Sequence, residues 1–341
     1  MFFYVNGIMT SGEFLMYKPS FSITNFMLNE ALSITHKIGK ISFYDSLERM
    51  PILRRNNQIN SIHSSLAIEA NSLSIDQTRD VINGKAVVGP QREIQEVKNA
   101  YKAYESIGEY DAYSEMDLKK AHHTLMKSID SEAGEYRNHG EGVFDGEQVV
   151  FVAPPENLVP TLMEDLFSWL RKDKETPLLL KSCIFHYEFV FIHPFSNGNG
   201  RIARLWQNVL LSKWNKVFEY IPIESKIKKY QNDYYKAIST CHKNGNSNAF
   251  IEFMLKTIDL TLDEVLATSK KESRSISDNV NRLLDVVEYD SPLSANEIMT
   301  RLGVKSKETL RKSYINPAIK NGLLKMTLPE KPNSKNQKYY K

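Results

Sequence analysis

The sequence predicts an all-α protein with one small β-hairpin and a winged helix-turn-helix at its C-terminal end. Three observations carry this. Apolar residues recur at helical spacing through most of the 341 residues. One stretch, 134–152, is rich in glycine and sets Asp145-Gly146 between two β-branched runs, a hairpin signal. Beyond residue 277 come three short helical patterns and then a basic segment with a turn at 329–334, the order of a winged helix-turn-helix.

The elements follow in order. Segments 23–37 and 44–68 are amphipathic, with breaks expected near Gly39 and Pro51. A third helix is expected over 94–107, after Gly89-Pro90, and a fourth over 115–128. The hairpin spans 142–152 and Pro154-Pro155 ends it; a helix resumes over 158–170. Segment 178–192 is so apolar that it must be central. Helices are expected over 202–214, 226–241 and 249–267, and the polar stretch 270–277 reads as a linker. The last module comprises 278–289, 294–302, a turn at Gly303, 306–320 and a basic wing over 323–340. This divides the chain into an N-terminal helical region (1–110), a core (111–269) and a C-terminal domain (270–341). Residues 1–18 carry no assigned element.

Apolar residues make up 41% and charged residues 25%, ordinary for a globular protein with a real core. The net charge of +3 argues against polyanion binding by the molecule as a whole. Within 301–341, however, eleven Lys or Arg face two acids, so a basic module follows an acidic body. The two cysteines, Cys183 and Cys241, make neither a disulfide framework nor a zinc site, which points to a reducing cytoplasm. The N-terminus lacks the basic and long apolar regions of a signal peptide, and no run approaches the ~20 apolar residues of a membrane span.

The chemistry concentrates in the run His193-Pro194-Phe195-Ser196-Asn197-Gly198-Asn199-Gly200-Arg201. Gly198-Asn199-Gly200 follows one helix and opens another, so backbone N–H groups and a helix N-terminus can converge on an anion. Arg201 and Arg204, three apart, can reach the same polyphosphate, and His193 supplies a titratable base at its edge. A lone Gly-x-Gly is commonly only a turn. The whole combination describes phosphoryl or nucleotidyl transfer to a hydroxyl.

This run resembles the loop of the Fic family, His-x-Phe-x-Asp/Glu-Gly-Asn-Gly-Arg-x-x-Arg, at His193, Phe195, Gly198, Asn199, Gly200, Arg201 and Arg204. The resemblance implies a Fic-type helical core and a protein adenylyltransferase. His193 would deprotonate a Ser, Thr or Tyr hydroxyl, which attacks the α-phosphorus of ATP. The backbone of Gly198 to Gly200 and the Asn199 side chain would hold α and β oxygens, and Arg201 and Arg204 the β and γ groups. Related Doc-type kinases carry Lys where this chain has Gly200, so Gly200 favours AMP transfer. The family's Asp or Glu binds Mg²⁺; here Asn197 stands there, and its neutral amide is a weak metal ligand.

Ser65 and Glu69, on one helical face, resemble the family's inhibitory motif Ser/Thr-x-x-x-Glu-Gly/Asn, with Ala70 in the last position and Asn71 one place later. By that resemblance Glu69 would pair with Arg204 and occupy the γ-phosphate position. The hairpin with Val150 and Phe151 resembles the flap that takes up a target segment as an extra strand. Tyr235, in Tyr234-Tyr235-Lys236-Ala237, resembles a residue near the adenine. The implied partners are ATP, Mg²⁺ and a target protein. Lys305, Lys307, Arg311 and Lys312 would open a recognition helix and admit DNA as a further partner; family members often pair, so a homodimer stands as an open expectation. The rival readings are a DNA-binding regulator with a nucleotide-sensing site, a different nucleotide as donor, and removal of AMP. His122, His123 and His139 read as packing, capping and loop residues.

Overall fold

The structure, a computed structural model, describes residues 17–43, 51–145, 148–275, 278–288, 291–320 and 322–341. These divide into two compact units, one within 1–37 and 57–262, the other within 38–56 and 263–341. Gly146 at the hairpin tip and 44–50 of the second expected helix lie outside the described residues.

The chain opens with α1 (Asn25–Phe43) and α2 (Pro51–Ile68). The break expected at Gly39 does not occur: one glycine costs a helix about 1 kcal/mol, too little to end it where Ile34, Ile38 and Ile41 on either side are buried. A short helix that the pattern missed, α3 (Ile75–Ile82), is set by a capping box between Ser74 and Gln77. Then come α4 (Gln91–Glu105) and α5 (Glu115–Met126), the latter capped by Ser114. Strands β1 (Gly142–Asp145) and β2 (Gln148–Val152) pair antiparallel, Gly142 opposite Val152.

The helix α6 (Val159–Lys172) leads to α7 (Leu178–Ile192), which is buried almost all round, and to α8 (Asn199–Trp214) packed against it. Phe167 meets Phe185 and Trp206 edge-on at 5.3 and 6.5 Å, which locks α6, α7 and α8 into one aromatic core. The helix expected over 226–241 is two, α9 (Ile223–Lys229) and α10 (Gln231–Asn244), meeting at Tyr230. The last helix of this stretch, α11 (Asn248–Ser275), continues through most of the expected linker, because 270–275 is rich in Lys, Glu and Arg and holds neither Gly nor Pro to stop it.

The C-terminal segment has its own core, with Leu283, Ile298, Leu310, Ile315 and Tyr339 at its centre. Its order is α12 (Asp278–Val286), β3 (Leu293–Ser294), α13 (Ala295–Leu302), the left-handed Gly303, and α14 (Lys307–Leu310), which runs through a π turn (Arg311–Ile315) into α15 (Asn316–Lys320). Strands β4 (Lys325–Met326) and β5 (Lys338–Tyr340) complete an antiparallel sheet ordered β3-β5-β4.

Candidate functional site

The α7–α8 connection holds the site. His193 caps α7 in the left-handed conformation, φ 51° and ψ 58°, which a non-glycine residue rarely adopts. Its Nδ1 faces the Val190 carbonyl at 3.4 Å, which places the proton there and leaves Nε2 with its lone pair. Burial lowers the His193 pKa, so the ring is a neutral base at pH 7.

Two residues hold the loop from below. Phe195 is fully buried, and His122 stacks on it at 3.6 Å, the planes 4° apart. The Gly134 N–H donates to His122 Nδ1 (2.9 Å), so Nε2–H donates to the Asn197 carbonyl (2.9 Å). Burial pushes the His122 pKa down to about 4 and keeps this tautomer neutral. The Asn199 side chain is turned back onto the loop. Its Oδ1 accepts from the Phe195 N–H (3.0 Å) and its Nδ2 donates to the Phe195 carbonyl (2.6 Å). Asn199 closes the loop on itself, so an anion is left to the backbone N–H groups of the first turn of α8. Gly198, at φ 78°, starts that turn; a Cβ there would lie 2.7 Å from Met126 Sδ.

The two arginines are already engaged. Arg204, buried, donates from Nε to Ser65 Oγ (3.0 Å) and from Nη2 to the Ser65 carbonyl (2.9 Å) and Glu69 Oε1 (2.8 Å). Burial would raise the Glu69 carboxyl, but the Arg204 charge and hydrogen bond overcome it and hold Glu69 below the usual carboxylate range. Glu69 follows the end of α2, and Ala70 takes the left-handed turn (φ 65°) that Gly or Asn would take more readily. Gly200 gives the carboxylate its room: a Cβ there would be 2.5 Å from Glu69 Oε1. Arg201 donates from Nη1 to Glu96 Oε1 (3.1 Å) and from Nη2 to Asn197 Oδ1 (3.0 Å), while its buried Nε has no acceptor among the described residues. Asn71 Nδ2 donates to the other Glu96 oxygen at 2.9 Å.

Asn197 therefore does not suit a divalent cation. Its amide oxygen faces a guanidinium, and a metal on it would lie beside a like charge. Among the described residues no group of three His, Cys, Asp or Glu could hold a metal. Tyr235 lies half-exposed on α10, its ring edge-on to Tyr234 at 5.3 Å; Tyr234 is the buried partner, its hydroxyl 3.0 Å from His186 Nε2. In the hairpin, Phe151 stacks on His242 at 4.3 Å and tilts against Phe191. Of Val150 the backbone is strand, and its side chain lies outside the described residues.

The roles of Glu96 and Arg137 escaped the sequence reading, and His122 was read as a packing residue without its partner in the loop. Each acts from more than fifty residues away, and no local spacing announces it. Both cysteines are free and buried, and no helix among the described residues is long and apolar enough to cross a membrane.

Residues 112–211 match the Fic/DOC family, and 278–340 the C-terminal domain of filamentation-induced-by-cAMP Fic-like proteins. A crystal structure of a Fic family protein from Desulfovibrio desulfuricans G20 is 40% identical, with a TM-score of 0.73 over 95% of this chain and 98% of that one. A probable protein adenylyltransferase of Aquifex aeolicus is 27% identical over 289 residues, 78% of this chain and 81% of its own. A protein adenylyltransferase of Caenorhabditis elegans is 24% identical over 266 residues, and this match takes in 75% of this chain and half of that protein.

Proposed function

The chain belongs to the Fic family, and on that premise we propose that it transfers AMP from ATP to a hydroxyl of a target protein, and of itself, from a site that Glu69 holds shut. The observation that carries this reading is a neutral His193, its Nε2 unpaired among the described residues, in the loop that opens α8, the helix whose Arg204 is paired with Glu69. Nε2 takes the proton of the attacking hydroxyl. The new bond joins that oxygen to the α-phosphorus, the bond to the bridging oxygen breaks, and pyrophosphate leaves with the electron pair. The first turn of α8 and the freed Arg204 hold the phosphates as charge develops. Asn197 offers a metal no carboxylate, so Mg²⁺ would be held by the phosphate oxygens of ATP and by water.

The mode of control follows from charge. Glu69 occupies the guanidinium that a γ-phosphate would need, and two anions cannot share it. ATP labelled on its α-phosphate tests the reading in wild type, Glu69→Gly and Glu69→Gly/His193→Ala. Label is expected in the single variant alone. Equal background in all three, with and without a cell extract as a source of target, rejects it.

A second reading concerns the C-terminal segment. Lys305, Lys307, Arg311 and Lys312 are all exposed at the start of the α14 run, and of these Lys312 is paired with Glu308 at 2.8 Å. Such a face suits a phosphate backbone. Binding of duplex DNA that weakens steeply with salt and disappears in Lys305→Ala/Lys307→Ala/Arg311→Ala supports it; salt-independent or unchanged binding rejects it.

A further inference from the structure

The hairpin and the catalytic loop are separate in sequence, yet one side chain holds both. Arg137 lies between α5 and β1 and is 2% exposed. Its Nε donates to the His193 carbonyl at 2.7 Å, and its Nη2 to the Ile192 carbonyl at 3.3 Å and the Pro154 carbonyl at 2.6 Å. Its Nη1 donates to the His139 carbonyl at 2.8 Å, and its own backbone N–H to the Pro194 carbonyl at 2.9 Å. Ile192, His193 and Pro194 are the end of α7 and the start of the loop. His139 and Pro154 are the two feet of the hairpin, which the Ala153 N–H joins to the Glu141 carbonyl at 3.0 Å.

We propose that Arg137 is the positioning residue that sets the hairpin, and with it the target segment, against His193. This rests on the AMP-transfer reading for its consequence, though not for its geometry. The planar fork can meet carbonyls on two sides at once, which a lysine point charge cannot reproduce. It has a second effect at the loop. His193 is in a strained left-handed conformation, and Arg137 holds the two carbonyls that flank its Cα, Ile192 O and His193 O. Without the guanidinium those carbonyls lose their charge-assisted partner. The imidazole and the hairpin then move independently, while the phosphate contacts of α8 stay intact. Arg137 touches no reacting atom; it acts through His193 and the strands.

The test uses the full chain with Glu69→Gly as parent and compares Arg137→Met and Arg137→Lys. Three things are read: self-labelling from α-labelled ATP, the ATP dissociation constant, and amide exchange across 142–145, 148–152, α7 and α8. Misplacement of about 1 Å costs up to roughly 100-fold in rate, so labelling is expected to fall about 10- to 100-fold in Arg137→Met, and less in Arg137→Lys. ATP affinity is expected to change less than about threefold, since binding is to α8 and its arginines. Protection is expected to fall in the two strands and at His193, with α7 and α8 otherwise unchanged. Unchanged strand protection with parental labelling overturns the proposal. So does a general loss of protection through α7 and α8 in both variants, since Arg137 would then hold the fold and not the hairpin. If the parent takes up no label, the activity reading fails, and the exchange pattern still decides this one.

Discussion

Arg204 Nη2 and Glu69 Oε1 lie 2.8 Å apart, and the same guanidinium is bound by both the hydroxyl and the carbonyl of Ser65. Ser65 on α2 and Glu69 just past its end thus hold a cation that belongs to α8. The pair is asymmetric: the Arg204 side chain is 1% exposed and that of Glu69 33%, so the carboxylate is the member free to leave.

Removing the charge of Glu69 while keeping its oxygen separates two contributions to this contact. A neutral hydrogen bond is worth about 1 kcal/mol less than a charge-assisted one, so Glu69→Gln is expected to label roughly fivefold faster than wild type, and Glu69→Gly faster again. Glu69 titrates below the usual carboxylate range, so its contribution is present above about pH 4.5 and is lost only as pH falls through the lower folded value. Labelling of wild type that rises between pH 8 and 6 while Glu69→Gln stays flat would contradict this.

Gly200→Ala tests the space beneath Glu69. The added Cβ meets Glu69 Oε1 at 2.5 Å and Arg204 Nη1 at 3.0 Å. It is expected to cost about 1–3 kcal/mol in urea unfolding, and at least about 1 kcal/mol less in the Glu69→Gly background. Equal costs in the two backgrounds would show that the close approach is relieved elsewhere.

The Arg201–Glu96 pair is nearly dry, its side chains 6% and 12% exposed. Breaking such a pair from one side leaves an uncompensated cation. Glu96→Ala is expected to cost about 3–5 kcal/mol, and Glu96→Gln less, since it keeps an acceptor for Arg201. Measured stability losses under about 1 kcal/mol for Glu96→Ala would count against the pair as drawn.

Acid should destabilise the protein through its buried histidines. Burial holds His122 and His242 down to about 4 and His186 to about 3, against roughly 6.5 in the unfolded chain. As pH falls from 6.5 towards 4, the unfolded chain takes up protons that the folded chain refuses, so stability falls. Glu188 opposes this: burial raises it to about 7, so the folded chain keeps a proton between about pH 4.5 and 7. His63 and His193, also lowered by burial, add to the histidines, and Asp165 and Glu224, also raised by burial, add to Glu188; the histidines are the larger set. His122→Phe is expected to lessen the slope by about 1.4 kcal/mol per pH unit within the window, read from urea unfolding at pH 7, 6 and 5.

Strong local patterns made most of the fold legible. The strongly apolar composition of α7 predicted its bounds, and Asp145-Gly146 predicted the hairpin. The misses were places where a local rule met a competing one. Gly39 did not outweigh its helical neighbours, Ser74 and Gln77 built a helix too short for a periodic signal, and the polar end of α11 had no residue to stop it. At the loop, spacing named the arginines and the glycines but could not say that the Asn199 amide would be consumed by Phe195.

By itself, the sequence determined most of the elements and the composition of the loop, because helical periodicity, turn chemistry and a nine-residue motif act over short distances. Tertiary structure alone decided which distant groups meet it: His122 under Phe195, Glu96 on Arg201, Arg137 between the loop and the hairpin. The physical reason is that a hydrogen bond or ion pair between residues fifty or a hundred positions apart depends on how helices pack, and side-chain spacing along the chain carries no record of that.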